Sequence, residues 1–393
     1  MLNSREEHPV RTAGLRARAA AESVGSRFGH RLWGLPGTHL GAVRFPPGRG
    51  LSPWHYWWQA HYLDALVDAA LRESDECAAE KQAVTARRLL RSIYLRNGLR
   101  WTNSYYDDMA WLALAADRFR QLGRGGGHPG SPLMRALRSA HTPELDGGLY
   151  WNTDRDFKNT PATGPAALLF ARRGDTVRAQ ELVDWLQGRL QDPRTGLFQD
   201  GIRIAGGRER LIPTIYTYNQ GPVLGALLEL GGPDNLSSAE DLILAVDKQL
   251  THDGVLWTHG GGDGGLFTGI LARYLAVAAA TPALPSATRR TAGALVTTTA
   301  ETLWTGRTVP DGTPAPKRKT AQGTTARGGT GRRRSPAAAG VLEFPAGTGA
   351  DAGTRGSELS TQLQAWMILE AAYRVTAGAA PRPKRPDRPA PGA

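Results

Sequence analysis

Two adjacent carboxylates, Asp107 and Asp108, stand in the segment WTNSYYDDMAWLALA (101–115), flanked by Tyr105, Tyr106 and Trp111. Such a pair suits three chemistries. In glycosidic cleavage one carboxylate attacks and the other donates a proton; like-charge repulsion raises one pKa while a helix end keeps the other ionised. Magnesium–diphosphate binding on an all-helical scaffold needs a third carboxylate one turn on, where this chain has Trp111. Calcium binding needs more oxygen ligands than the segment offers. A plainer reading covers half of the pair. Ser104-x-x-Asp107 fits a capping box, with Asn103 or Ser104 as N-cap and Asp107 near the positive helix end. It leaves Asp108 and the aromatic flank unexplained. Consecutive helical residues point about 100° apart, so the pair converges to the roughly 5–5.5 Å of a retaining glycosidase only in a first turn or loop.

Three further clusters could serve the same chemistry. GGLYWNTDRDFKNTPATGP (147–165) packs Trp151, Asn152, Asp154, Asp156, Phe157 and Asn159 into a loop bounded by Gly and Pro. Sugar sites combine flat aromatics with amides and carboxylates that grip hydroxyls; the competing reading is a turn-rich loop with one buried Trp. LFQDGI (197–202) and IYTYNQGPVLGAL (215–227) place Asp200, Tyr216, Tyr218, Asn219 and Gln220 at or just before a helix start. There Asn219 could be a plain cap. In WHYWWQAHYLDALVDA (54–69), Trp54, Trp57 and Trp58 with Gln59 and His61 could line a glycan groove, although Trp on an amphipathic helix is more often core. His55 and His61 lack the spacing of a helical metal pair. No G-x-S-x-G elbow, P-loop or strand-borne GxGxxG occurs.

The elements that must position these residues read as helices. Apolar residues recur at helical spacing near 10–27, 57–71, 83–97, 105–119, 131–140, 164–173, 179–190, 216–230, 239–250, 265–279, 288–304 and 358–375. Few stretches alternate with strand period. About a dozen helices could form a solenoid or an α/α toroid. No repeat of solenoid period appears, and the motif-rich loops follow alternate helices. That favours a closed barrel of helical hairpins with its site at one rim. Segment 305–356 breaks the pattern: low-complexity, basic and poor in bulky apolar groups, it reads as a disordered insertion between the last two helices. The expectation is a single catalytic domain over 1–376, followed by a flexible tail, 377–393.

The formal charge of +12 is concentrated in two places. Segment 307–356 holds nine Lys/Arg against three Asp/Glu, and the tail holds four against one. The remainder is close to neutral and shows no basic patch interleaved with aromatics, so no nucleic-acid partner is expected. No uninterrupted apolar run of about 18 residues occurs, so no membrane span is expected. The lone cysteine, Cys77, rules out an internal disulfide and lies in an acidic context that does not favour a thiolate nucleophile. The N-terminus does not resemble a secretory signal, and a cytoplasmic monomer is the expectation.

Together these segments resemble glycoside hydrolase family 76, the endo-α-1,6-mannanases. WWQAHYLDALVDA, NSYYDDMAWLALA, GGLYWNTDRDFKNTPATGPAALL, YTYNQGPVLGALLEL, LFTGILARYLA and ELSTQLQAWMILEAA recur in family order from about residue 54 to 375. YYDDMAW combined with YTYNQG is far more specific than either alone. The resemblance implies an all-α (α/α)6 barrel, retaining cleavage of α-1,6-linked mannan, and no metal or organic cofactor. It places the family's tandem aspartates on Asp107 as nucleophile and Asp108 as acid/base. The sugar contacts are then expected among Trp58, Gln59, His61, Asn103, Tyr105, Tyr106, Trp111, Trp151, Asn152, Asp156, Asn159, Asp200, Tyr218, Asn219 and Gln220. A non-catalytic glycan-binding relative, or a transglycosylase of the same fold, is the alternative; a pure binder has no need of an acid and a nucleophile side by side. The basic insertion, and the lack of a signal in a family whose mannanases are often secreted, depart from the pattern.

Overall fold

The computed structural model of the chain describes residues 4–46, 53–123, 129–310, 341–348 and 358–378. Twelve α-helices dominate the described residues. They are α1 (Ser4–Phe28), α2 (Tyr56–Arg72), α3 (Glu76–Arg96), α4 (Tyr106–Gln121), α5 (Gly130–Ala140), α6 (Thr160–Arg172), α7 (Thr176–Leu190), α8 (Thr217–Leu230), α9 (Pro233–Gln249), α10 (Gly264–Ala279), α11 (Ser286–Thr305) and α12 (Leu359–Thr376). The even-numbered helices pack side by side in one ring, which closes where α12 meets α2, and each odd-numbered helix backs a neighbour from outside. This is the expected (α/α)6 toroid.

Sequence dictates which helix lies where. Inner helices such as α6 and α10 are apolar or small all round and bury nearly every residue. Outer helices such as α5 and α7 bury one stripe and turn charged residues to solvent. Small residues bring inner helices close together. A Cβ on Gly225 of α8 would stand 2.7 Å from the Tyr274 ring of α10.

At the centre of the ring lies a group of buried charges that sequence reasoning missed. Asp64 and Asp68, one turn apart on α2, are both bridged by Arg118 of α4. Arg273 of α10 meets the same two carboxylates at 2.7 Å each. Burial pushes the Asp68 carboxyl up, but the two guanidinium charges outweigh it and hold the carboxyl well below its usual range.

Two expectations are corrected. The first is that few stretches have strand character, which left a sheet at the rim unforeseen. Two-residue pairs β1 (Gly29–His30) with β2 (Leu40–Gly41), and β6 (Thr251–His252) with β7 (Val255–Leu256), are minor. However, β3 (Phe157–Asn159), β4 (Gln199–Ala205) and β5 (Arg208–Ile215) form an antiparallel sheet in the order β3-β4-β5. The signal was Ile-Arg-Ile alternation before a Gly206–Gly207 turn, both glycines with positive φ.

The second is the segment 305–356. Its 311–340 and 349–356 portions lie outside the described residues, as does the tail beyond 378. Residues 341–348 are core, however, not insertion. Leu342 and Phe344 are buried, and Phe344 exchanges two backbone bonds with the Gln362 amide, both 2.9 Å. Glu343 pairs with Arg27 at 3.0 Å and bridges Thr308. VLEFPAGT carries its apolar groups in a run too short to show period, so the basic composition around it hid it.

Two stability outcomes follow. Phe344→Ala should cost about 3–5 kcal/mol, because it opens a cavity beside Trp304 of α11 and the start of α12. Arg118→Met should cost a similar amount, about 3–5 kcal/mol, because it leaves two buried carboxylates sharing the single cation of Arg273. Urea unfolding curves check both, and a loss within about 0.5 kcal/mol at Phe344 would mean that 341–348 is not core.

Candidate active site

All six inner helices begin at the same rim, since each is followed by an outer helix that brings the chain back. Their first turns, and the residues just before them, carry most of the chemistry-bearing side chains: Trp54 and Trp57 at α2, the aspartates at α4, Asn159 at α6, Tyr216 and Tyr218 at α8, Asp263 and Phe267 at α10. A cleft of about 750 Å³ opens among them.

Helix α4 begins at Tyr106, and Tyr105 occupies the extended N-cap position without a side-chain cap bond. The capping-box reading of Ser104 and Asp107 therefore does not hold. Asn103 accepts from the Tyr105 amide at 2.9 Å, and its own amide donates to Asp108 Oδ2 at 2.5 Å. Asp107 Oδ1 accepts from the Asp108 backbone N–H at 2.9 Å, and Oδ2 from the Trp151 indole at 3.0 Å. Trp151 is fixed in turn through its backbone. Its N–H donates to Phe157 and its carbonyl accepts from Tyr106, both at 2.7 Å. The 147–159 loop is thereby laced onto the start of α4, and its Trp becomes a hydrogen-bond partner of the first aspartate.

Burial is the dominant electrostatic fact. It pushes Asp107 up to about 7, against the pull of the Asp108 and Trp151 N–H groups. Burial also pushes Asp108 well above the carboxylate range; repulsion from Asp107 adds to this, and the Asn103 amide opposes it. The pair therefore holds at least one proton at neutral pH, with charge better accommodated on Asp107. Nearby, burial raises Asp200 to about 6, and Asn219 and Arg203 pull it down. Among the described residues, no three His, Cys, Asp or Glu side chains come together as a metal site would need.

The structure brings Asp107, Asp108, Asn103, Tyr105, Trp111, Trp151, Asn159, Asp200 and Tyr218 to one cleft from distant parts of the chain. Tyr218 stacks on Phe267 at 3.9 Å between ring centroids. Asp200 lies in β4, not at a helix start as expected.

Eight other candidates do not line the cleft, and that expectation is corrected. Trp58 is buried and donates to Asp263. Gln59 clamps the Gly41 backbone, and Gln220 clamps Phe198 and Tyr216. His61 is buried behind the lining Trp57 and Trp111 rings. Tyr106 is core, and Asn152 turns to Asp154. Asp156 pairs with Arg203 at 2.7 Å outside the lining, and Asn219 is buried beside Asp200. Helical rotation separates the two Trp residues: Trp57 faces the cleft, whereas Trp58, about 100° further round, turns inward and reaches Asp263. Sequence reasoning missed Asp263 and Arg203 altogether. The available signal for Asp263 was a lone acid inside a glycine run, GGGDGG, at a helix start.

The family described as glycosyl hydrolase family 76 matches residues 131–331, just over half of the chain. The protein belongs to glycosyl hydrolase family 76. Among solved structures it is similar to the GH76A α-1,6-mannanase of Salegentibacter sp. HEL1_6. The two are 29% identical with a TM-score of 0.75, over 92% of this chain and 99% of that one. An inactive variant of that mannanase, with two consecutive aspartates changed to asparagine, was solved with α-1,6-mannotriose. It matches at 28% identity and a TM-score of 0.74, over 92% and 99% of the two chains. Dfg5 from Chaetomium thermophilum, in complex with glucosamine, shares the fold at 15% identity and a TM-score of 0.66, over 96% and 92% of the chains. No curated protein matches. In this family 76 member no described helix is long and apolar enough to cross a membrane.

Burying the dyad has a measurable cost. Asp107 titrates higher folded than unfolded, so the native state holds a proton that the unfolded chain releases. Stability therefore falls as pH rises from about 4 towards about 7. An amide carries no such penalty. Asp107→Asn should melt a few degrees above wild type at pH 8, and the gain should vanish near pH 4. Calorimetry across that range checks it; a gain independent of pH would contradict the assigned cause.

Proposed function

We propose that this family 76 enzyme cleaves α-1,6-mannosidic linkages of a mannan-type polysaccharide with retention at the anomeric carbon. The observation that carries this reading is the half-buried Asp107–Asp108 pair, in which the first carboxylate receives two N–H donors and the second the Asn103 amide. The similarity to an α-1,6-mannanase along nearly all of both chains supports the linkage. So does the inactivity of that enzyme's double-aspartate variant, which was solved with α-1,6-mannotriose.

Roles follow from the bonding. Asp107, stabilised as an anion by the Asp108 N–H and the Trp151 indole, attacks the anomeric carbon and forms a glycosyl ester. Asp108 gives its proton to the departing glycosidic oxygen. It then removes a proton from the water that displaces Asp107, and two inversions give net retention. Trp57, Trp151 and Tyr218 offer flat faces for the apolar sides of the sugar rings. Asn159 and Asp200 stand in the lining as hydroxyl partners.

The test is turnover of α-1,6-mannan against α-1,2- and α-1,3-linked oligomannosides, with the product anomer read by NMR. The expected result is α-1,6 cleavage giving the α-anomer first. Asp107→Asn and Asp108→Asn should each lose several orders of magnitude in kcat while staying folded. Because burial raises Asp107 to about 7 and Asp108 well above the usual carboxylate range, kcat/KM should be bell-shaped, rising as the nucleophile ionises through about 7 and falling once the acid of the pair loses its proton. An Asp107→Ala enzyme with near-normal activity would overturn the reading.

A further inference from the structure

A third carboxylate shares the cleft with the dyad. Asp263 immediately precedes α10, at a position where an aspartate ordinarily caps the helix by accepting from its N–H groups. It makes no cap bond. Its Oδ1 accepts instead from the Trp58 indole at 2.8 Å, and the side chain is open to the cleft. The loop is built to hold it there. Gly262 has φ +60 and donates to Glu358 Oε2 at 2.6 Å. A Cβ on Gly264 would stand 2.3 Å from the His259 carbonyl. Any other residue on either side of Asp263 would shift it.

The plainest account is that Asp263 only satisfies a buried indole N–H. A neutral asparagine would serve that purpose equally well, so the question is what the charge does. The other polar and titratable groups sharing the cleft with the dyad are His55 and Tyr56 at the start of α2, Asn103, Tyr105 and Trp151 from the flanking loops, Asp200 and Arg203 from β4, and Tyr216 and Tyr218 at α8; the His55 ring lies on Trp58 at 4.3 Å between centroids. Arg203 is the cation among them, and it is engaged by Asp156. Asp263 itself has no ion-pair partner among the described residues. A carboxylate left uncompensated opposite two acids is unfavourable at rest. It becomes favourable when positive charge develops on a sugar between them, as in an oxocarbenium-like transition state.

We propose that Asp263 is an electrostatic positioning residue of the glycosidase reaction: its charge keeps the acid of the Asp107–Asp108 pair protonated and stabilises the cationic sugar in the transition state. This rests on the glycosidase reading above. In agreement, both aspartates, raised first by their burial, are raised further by the Asp263 charge.

Asp263→Asn keeps an acceptor for Trp58 and removes only the charge; Asp263→Ala removes both. On α-1,6-mannan, Asp263→Asn should lose about 10- to 100-fold in kcat with KM little changed. Both limbs of its pH profile should move to lower pH by about half to one unit. An Asp263→Asn enzyme with wild-type kcat and an unshifted profile, beside an impaired Asp263→Ala, would overturn the proposal and leave only the indole contact. A second measurement needs no substrate. The fall in stability between about pH 4 and pH 8 should be shallower in Asp263→Asn than in wild type, and an identical slope also counts against the proposal. If wild type fails on the mannan while that slope still changes, the substrate assignment has failed and the electrostatic coupling has not.

Discussion

Four side chains at the centre of the ring set the positions of everything above them. Asp64 and Asp68 share one face of α2, and Arg118 and Arg273 reach them from α4 and α10. Two guanidinium forks across two carboxylates allow little rotation of any of the three helices about its axis. The same helices carry Trp57, the aspartate pair and Phe267 about two to three turns nearer the rim. Between the charges and the cleft lies His61, kept neutral first by burial and then by the Arg273 charge, with its ring against Trp57 and Trp111. A buried quartet of this kind is a weak source of net stability, because desolvation offsets most of the attraction. What it supplies is one allowed register among three helices.

The rim combines two opposing fields. Six parallel helix starts bring partial positive charge to the cleft, and this favours anions there. Desolvation of the carboxylates favours neutral acids. For Asp107 and Asp108 burial wins, even against the N–H groups aimed at them. Had the dipoles won, both carboxylates would be ionised at neutral pH and no proton would be available for the leaving sugar. The cost is a site that makes the folded chain less stable as pH rises.

Helix number and order were legible in the sequence because 3.6-residue periodicity is a strong signal over a dozen long segments. The boundaries drifted where helices open with small or polar residues, as at Glu76, Thr160 and Pro233. The aspartate pair was legible because nothing structural requires the second acid. Residues whose role depends on facing were not. Trp57 and Trp58 are one residue apart and differ only in which way the helix turns them. Gln59 and Gln220 are polar and motif-borne, yet each is spent on backbone groups that no pattern reveals. Asp263 was hidden by its context, since a glycine run reads as a loop until the crowding around each glycine is known.

The antiparallel bridge between Thr308 and Glu343 sets two ends of the described chain side by side. Each end is anchored independently, one by α11 and the other by Arg27, Ser23 and Gln362. Closing a loop between such ends costs entropy only as the logarithm of its length, about 0.6 kcal/mol per doubling. A change in the number of residues between those ends therefore carries little thermodynamic consequence. This makes the junction a natural graft point, where a tag, a second module or a tether could be spliced in without disturbing the register on which the aspartates depend.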